Sequence, residues 1–550
     1  MSDYEISKNA KLLPIIDIAR RFSIPEEALY PYGKYIAKVD HGLLKALHKP
    51  EGYLIFVTAM TPTPHGEGKT TTTIGLTDAL NLAGFNTMGV LRQPSLGPIF
   101  GVKGGATGGG FAQVVPMEDV NFLFTGDIPA VEYANNLLAA MIDNSIYQGN
   151  PLNLDGRRVR FKRVMDMNDR ALRHIVVGLG GIDGGVPRED SFDITVASEV
   201  MAILGLSLDL DELKERLSNI LVGFTTDRKP VFAKDLKAEG AMSVILRHAV
   251  NPNLVQTIEN NPVFVHTGPF ANIAHGTASL TAIKLALQFS DYVVVEGGFA
   301  TDLGGEKFMD IVSRLGNLEV SAAVVIASIR ALKYHGGQKV EDESENLDAI
   351  EKGFENLKKH VENMKTFGLN VVVAINKFPK DTPKEIEFLK TLLSKENITF
   401  ALSEVYEKGG IGGEELAKAV VDIAKPTKPQ FLYDLNEPVK DKIFKIATKM
   451  YGADNVTYSD EAETNLREIA KLGMDNSFVC IAKTQNSLSD NPKVLGRPKN
   501  FTVQVKEVRA LKGANFIVPI LGKINTMPGL PKDPLAMHLD IDDLGNITGL

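Results

Sequence analysis

The stretch Thr58-Ala59-Met60-Thr61-Pro62-Thr63-Pro64-His65-Gly66-Glu67-Gly68-Lys69-Thr70-Thr71 constrains the fold more than any other. It follows a run of strand-forming residues, Tyr53-Leu54-Ile55-Phe56-Val57. It precedes a helical pattern of Ile74, Leu76, Leu80 and Leu82 that stops at Gly84. Strand, glycine turn and helix together form the context of a phosphate-binding loop. Backbone N–H groups of the turn and the positive end of the helix converge on one point and favour an anion there. Thr63, Pro64, His65, Gly66, Glu67, Gly68, Lys69 and Thr70 are the expected nucleotide contacts, with Lys69 on the outer phosphates and the Thr70 hydroxyl on Mg²⁺. Thr63 stands where the usual pattern has glycine. The alternative is a plain strand-to-helix turn with a surface lysine; the register of Gly68-Lys69-Thr70 after a strand favours the phosphate loop.

With 550 residues the chain exceeds a single hydrophobic core, so two to four domains are expected. Composition is that of a globular protein, 44% hydrophobic and 23% charged, with 60 basic against 68 acidic residues. The resulting net charge of −8 argues against a nucleic-acid protein working through a bulk basic surface. The single cysteine, Cys480, allows no intramolecular disulfide and suits a reducing compartment. Set in Val479-Cys480-Ile481-Ala482, it reads as a small buried apolar residue. The acidic start Met1-Ser2-Asp3-Tyr4-Glu5 lacks a signal-peptide layout, and no apolar run approaches a membrane span. A soluble, cytoplasmic protein without nucleic-acid or membrane partners is expected.

Residues 1–50 read as helical, with Ser23 as a helix cap before Pro25. A second strand, Thr87-Met88-Gly89-Val90-Leu91, ends at Arg92. Ligands of open α/β sheets sit beyond the carboxyl ends of strands, so Arg92 lies near the phosphates if the two strands are neighbours. From Gly97 to Phe111 seven of fifteen residues are glycine. Such a stretch is either a flexible linker or a loop whose backbone approaches something closely; Lys103 and the embedded apolar residues favour the loop. Residues 117–147 read as helical, with Asn135 and Asn136 needing partners if buried. Val159 to Val164 alternates like a half-exposed strand, and Val196–Leu204 and Leu210–Leu221 read as amphipathic helices. Continuous apolar runs within 262–270, 292–298, 322–327 and 370–378 mark strands buried on both faces. A charged helical span, Glu341 to Lys365, lies between the last two. Lys425-Pro426-Thr427-Lys428-Pro429 reads as a linker. The expected architecture is α/β: a P-loop nucleotide-binding parallel sheet (1–110 and 250–425), an inserted α+β domain (111–249), and a smaller C-terminal α+β domain (426–550).

The sheet ends gather a candidate site of Lys69, Thr70 and Arg92. Glu296, ending a buried strand, suits orienting Mg²⁺ through water or a purely structural role. Asn376-Lys377 and Asp381 resemble the purine-reading corner of P-loop proteins, at a different spacing. His266 and His275 are acid–base candidates or structural hydrogen-bonding residues. No zinc spacing or nucleophile elbow is present. These residues alone indicate an ATP-using enzyme and do not name its second substrate.

Several colinear segments are more specific. Gly101-Val102-Lys103-Gly104-Gly105-Ala106-Thr107-Gly108-Gly109-Gly110-Phe111 and Val196 to Leu204 resemble signatures of formate–tetrahydrofolate ligases. So do Arg163 to Arg170, Gly268 to Gly276, Ala482 to Gln485 and Thr526 to Pro531. The resemblance covers nearly the whole chain. It implies that ATP phosphorylates formate to formyl phosphate, and that the N10 amine of tetrahydrofolate then takes the formyl group and releases phosphate. Lys69 and Arg92 match the family's phosphate and acyl-phosphate ligands. Phe378 and Tyr406 match its aromatic pair around the pterin, Tyr406 replacing a frequent tryptophan; the alternative for either ring is core packing. The resemblance also implies a homotetramer activated by a monovalent cation, K⁺ or NH₄⁺. Three residues depart from the family pattern: Gln93 where glutamate is frequent, Pro129 where histidine is, and Thr277 where cysteine or asparagine is. An alternative from a different class is a P-loop nucleotide-dependent switch or assembly factor without folate chemistry. It would hydrolyse ATP without formate and would need no aromatic platform.

Overall fold

A computed structural model describes residues 2–47, 49–103 and 107–549, the side chains of Val102 and Lys103 excepted. The Lys103 side chain and Gly104–Ala106 of the expected glycine loop therefore lie outside what the structure describes. Mixed α/β structure is built on one large, mostly parallel sheet. Its main strands in chain order are β1 (Leu29–Pro31), β2 (Ala37–Val39), β3 (Tyr53–Ala59), β4 (Thr87–Leu91), β5 (Ala112–Val115) and β6 (Asn253–Thr257). There follow β7 (Pro262–Val265), β8 (Tyr292–Glu296), β9 (Ala322–Ala327), β10 (Val371–Asn376) and β11 (Thr399–Ser403). In space they run β1-β2-β6-β7-β4-β8-β3-β9-β10-β11, with β5 also paired to β6. From β7 to β11 every neighbouring pair is parallel. The continuous Val/Ile/Ala runs of β8, β9 and β10 are buried along their whole length, as strands covered on both faces must be. Burying each such valine or isoleucine contributes about 1.5–3 kcal/mol relative to exposure.

The sense in which successive strands are added to the sheet reverses between β8 and β3. From β3 the chain moves through α1 (Lys69–Leu82) to β4 on one side; from β8 it moves to β9 on the other. The crevice beyond the strand ends at such a reversal is where doubly wound sheets receive ligands. One sequence expectation changes here. β3 and β4 are not neighbours, because β8 lies between them. Arg92 is thus two strand spacings from the turn after β3, about 10 Å across the sheet.

The amino-terminal region is less helical than its pattern suggests. β1 and β2 form an antiparallel pair and dock on β6. Ser23 caps nothing: it has a φ of 58°, and Pro25 leads only a single 3₁₀ turn, Glu26–Ala28. Asn135 and Asn136 lie on α2 (Asp127–Tyr147) and find backbone partners. Asn135 Nδ2 donates to the Lys162 carbonyl at 2.9 Å. Asn136 donates to the Val164 carbonyl and accepts its N–H, each at 2.9 Å. The alternating run 159–164 is not one strand. It divides between Leu154–Val159 and Arg163–Met165, and the asparagines hold the break. Farther along, the charged span becomes helical only from Leu347, with Asn346 as its cap.

A separate four-stranded sheet forms toward the carboxyl end from Asn455–Tyr458, Thr502–Leu511, Phe516–Leu521 and Phe478–Val479. It is tied to the middle of the chain by Glu199, the first residue of α3 (Glu199–Leu206). A Glu199 carboxylate oxygen accepts the Gly513 and Ala514 N–H groups at 2.7 and 3.2 Å. Burial raises the carboxyl to about 7, against the lowering effect of those two bonds. A raised acid binds its proton more tightly folded than unfolded, so stability falls as pH rises from about 4.5 to 7. Glu199→Gln keeps the acceptor oxygen and removes the charge. It should gain about 1–3 kcal/mol over the parent at pH 8 and almost nothing at pH 4.5. Calorimetric Tm at the two pH values measures this; an equal difference at both contradicts it.

Candidate active site

The turn after β3 is gripped from several sides. The Thr61 N–H donates to His360 Nε2 at 3.0 Å, and the Thr61 carbonyl lies 2.9 Å from His335 Nε2. The Thr63 N–H donates to Glu67 Oε1 at 2.7 Å, which folds the turn onto itself. The other Glu67 oxygen accepts the Ser328 hydroxyl, and Ser328 in turn caps α4 (Ile329–His335) by accepting the Ala331 N–H. Asn376 Nδ2, at the end of β10, donates to the Glu67 carbonyl at 3.0 Å. Gly68 is left-handed, with φ 74°, and a Cβ there would sit 2.5 Å from that same Asn376 nitrogen. Only glycine fits both the dihedral and the space.

The buried braces leave Pro64, His65 and Gly66 exposed on the crest, with Lys69 and Thr70 half-buried behind them. α1 starts at Lys69, and no side chain caps its N-terminus. Its first N–H groups and the helix dipole therefore favour an anion at the turn. Ser328→Ala removes both the cap of α4 and a hydrogen bond to Glu67. It should cost about 1 kcal/mol in stability and raise several-fold the KM for the nucleotide that the sequence leads us to expect at this turn. Thermal unfolding and steady-state kinetics read the two effects, and an unchanged KM contradicts the bracing role.

Two neighbouring strand ends complete the centre of the crevice. Thr70 Oγ1 donates to Glu296 Oε2 at 2.8 Å, and Glu296 is the last, buried residue of β8. A hydroxyl beside a carboxylate at a phosphate-favouring turn fits Mg²⁺, which takes few protein oxygens and keeps the rest for water and phosphate. Among the described residues no group of three or more His, Cys, Asp or Glu is arranged for a metal ion.

Arg92, just past β4, reaches toward the same place from the far side of β8. Its Nη1 donates to the Pro269 carbonyl at 3.2 Å, and its Nε has no hydrogen-bond partner among the described residues. A Cβ on Gly298, two residues after Glu296, would lie 3.0 Å from that Nη1. Desolvation lowers the guanidinium's pKa from its usual value, and the Glu296 carboxylate opposes the shift. Around Arg92 several other buried polar atoms also lack partners: Gln93 Oε1, Thr267 Oγ1, Thr277 Oγ1 and both His275 nitrogens. Unpaired buried polar atoms are costly, and their clustering beside a desolvated cation marks a place prepared for a polar ligand.

Neither histidine titrates near neutrality. Burial pushes His266 down to about 4 and His275 down to about 3. His266 bonds Ser279 and the Ala249 carbonyl, both at 2.6 Å, so its role is structural. Of the residues that depart from the family pattern, Gln93 is buried in the Arg92 cluster. Thr277 bridges to Gly297 beside Glu296, and Pro129 lies in the first turn of α2.

Phe378 and Tyr406 follow adjacent parallel strands, β10 and β11. The Phe378 N–H donates to Asp381 at 2.8 Å, and the Arg330 guanidinium lies 4.9 Å from the ring centroid. Tyr406 is 36% exposed and its hydroxyl donates to Asp3 Oδ1 at 3.1 Å. Its carbonyl accepts the Phe111 N–H, and a Cβ on Gly110 would lie 2.0 Å from that oxygen. The described end of the glycine run is thus a close-approach loop packed on Tyr406. Lys377 pairs with Glu404 at 2.6 Å, so the expected purine-reading corner is engaged in internal contacts. Sequence reasoning missed Ser328, Arg330, His335, His360 and Asn356, whose Oδ1 also accepts the Thr61 N–H at 3.3 Å. Only Ser328 had a local signal, a serine between an apolar strand and a helical pattern.

A family model described as Formate–tetrahydrofolate ligase matches residues 1–550, the whole chain. That match sets aside the nucleotide-dependent switch.

Proposed function

Because this chain belongs to the formate–tetrahydrofolate ligase family, whose members are ATP-dependent ligases, we propose that the turn after β3 is its P-loop and that the reaction passes through formyl phosphate. Thr63 to Thr70 hold the triphosphate. A formate oxygen attacks the γ-phosphorus and ADP departs. The N10 lone pair of tetrahydrofolate then attacks the formyl carbon, phosphate leaves with the carbon–oxygen bonding pair, and the N10 proton is released. The products are 10-formyltetrahydrofolate, ADP and phosphate. Lys69 and the first N–H groups of α1 face the negative charge that spreads over the transferring phosphoryl oxygens. Arg92 offsets charge on the acyl phosphate and makes phosphate a better leaving group. Thr70 and Glu296 would hold Mg²⁺, which supplies charge neutralisation at the β- and γ-phosphate oxygens. Phe378 and Tyr406 supply flat faces for the pterin.

The observation that carries this reading is the Thr70–Glu296 contact at the reversal of the sheet, with Lys69 and Arg92 to either side. The division into a nucleotide domain (1–110 and 250–425), an insertion (111–249) and a C-terminal domain (426–550) belongs to the same proposal. So do a homotetramer, a cytoplasmic location and activation by K⁺ or NH₄⁺; no residue is assigned to that ion. The test mixes protein, MgATP, formate and tetrahydrofolate and measures the methenyl product formed on acidification. Omitting formate should abolish the signal, and a signal that persists without formate contradicts the reading.

A further inference from the structure

Arg330 stands between the two halves of the candidate site. It leaves the first turn of α4 and donates from Nη2 to the Gly66 carbonyl at 2.6 Å, on the crest of the phosphate loop. The same guanidinium lies 4.9 Å from the centroid of Phe378. Its Nε is buried and has no hydrogen-bond partner among the described residues. The guanidinium thus touches both halves, and the Asp381 carboxylate beside Phe378 also attracts it. The Phe378 backbone is fixed by the bond from its own N–H to Asp381. The root of Arg330 is fixed as well, because α4 is capped by Ser328, which also grips Glu67 of the loop.

We propose that Arg330 is a positioning residue that couples nucleotide binding at the loop to pterin binding at Phe378. This rests on the reading of Phe378 as part of the folate platform. Gly66 is exposed on the crest and left-handed, with φ 75°, and a Cβ there would meet nothing within 4 Å. A triphosphate drawing the loop's N–H groups toward itself orients the opposed carbonyl of Gly66. That carbonyl holds the guanidinium over the ring, and a cation held above a phenyl face restricts the ring's motion. A ring already fixed loses less freedom when a pterin stacks on it, so each ligand tightens the other.

Titration calorimetry of tetrahydrofolate into the full-length protein, with and without Mg²⁺ and a non-hydrolysable ATP analogue, measures the coupling. In the parent protein the analogue should tighten tetrahydrofolate about fivefold or more. In Arg330→Met the factor should fall to about one, with the folate Kd without nucleotide changed little. Arg330→Lys keeps a charge that reaches Gly66 but stacks poorly, so only a small part of the coupling should survive. Its result stands if the methionine variant fails to fold. No coupling in the parent, or full coupling in either Arg330 variant, overturns the proposal. Phe378→Ala separates the premise from the inference. If it binds tetrahydrofolate as tightly as the parent, the platform reading itself falls. If it binds weakly while the Arg330 variants keep full coupling, only the inference falls.

Discussion

Lys69→Ala is expected to lower kcat by about 10²–10³-fold, the usual cost of removing one pre-aimed donor from developing charge. Lys69 is the first residue of α1, where its ammonium adds to N–H groups and a helix dipole already directed at the turn. The turn itself should survive the substitution. Its shape is set by Glu67, Ser328, Asn376 and the Thr61 contacts, none of which uses the Lys69 side chain. The loss should therefore fall on phosphoryl transfer, leaving the tetrahydrofolate Kd unchanged. Steady-state kinetics combined with calorimetric folate binding checks this. A variant that loses folate affinity and keeps kcat contradicts the assignment.

Arg92→Ala should cost a comparable factor, again about 10²–10³-fold in kcat, through a different step. Arg92 adjoins unpartnered polar atoms and lies on the far side of Glu296 from Lys69. If it serves the acyl phosphate, the variant should still bind ATP with near-parental affinity. Its defect should appear in formyl transfer when all substrates are saturating. Comparing nucleotide Kd with the rate of methenyl product formation separates the steps. A large loss of ATP affinity with normal turnover at saturation would place Arg92 on the triphosphate instead.

Much of the architecture could be read from residues with strong local signals. The strands at 262–265, 292–296, 322–327 and 371–376 announce themselves because parallel strands covered on both faces need continuous apolar runs. The turn at Gly68-Lys69-Thr70 is legible because a left-handed residue pressed against a neighbour admits only glycine. β1 and β2 escape notice because each is three residues long and finds its partners by pairing, the outer of them β6, more than 200 residues later. The braces of the turn after β3 are hidden for the same reason. Thr61 and Asn356 are 295 residues apart, and nothing local to Asn356 or His360 distinguishes them from other polar residues of an amphipathic helix. Arg92 shows an intermediate case. Its residue type and strand-end position point to the site, but its distance from the loop depends on β8 inserting between two strands that are consecutive in sequence.

The central claim is that a formate oxygen becomes bonded to the γ-phosphorus at the Lys69–Arg92 crevice before the formyl group moves to the folate amine. A single turnover with MgATP, tetrahydrofolate and formate labelled with ¹⁸O at both oxygens tests it most directly, the released phosphate being weighed by mass spectrometry. The account predicts phosphate carrying one ¹⁸O for each 10-formyltetrahydrofolate formed, and little labelled phosphate from Lys69→Ala. Phosphate released at the normal rate without the label would contradict it.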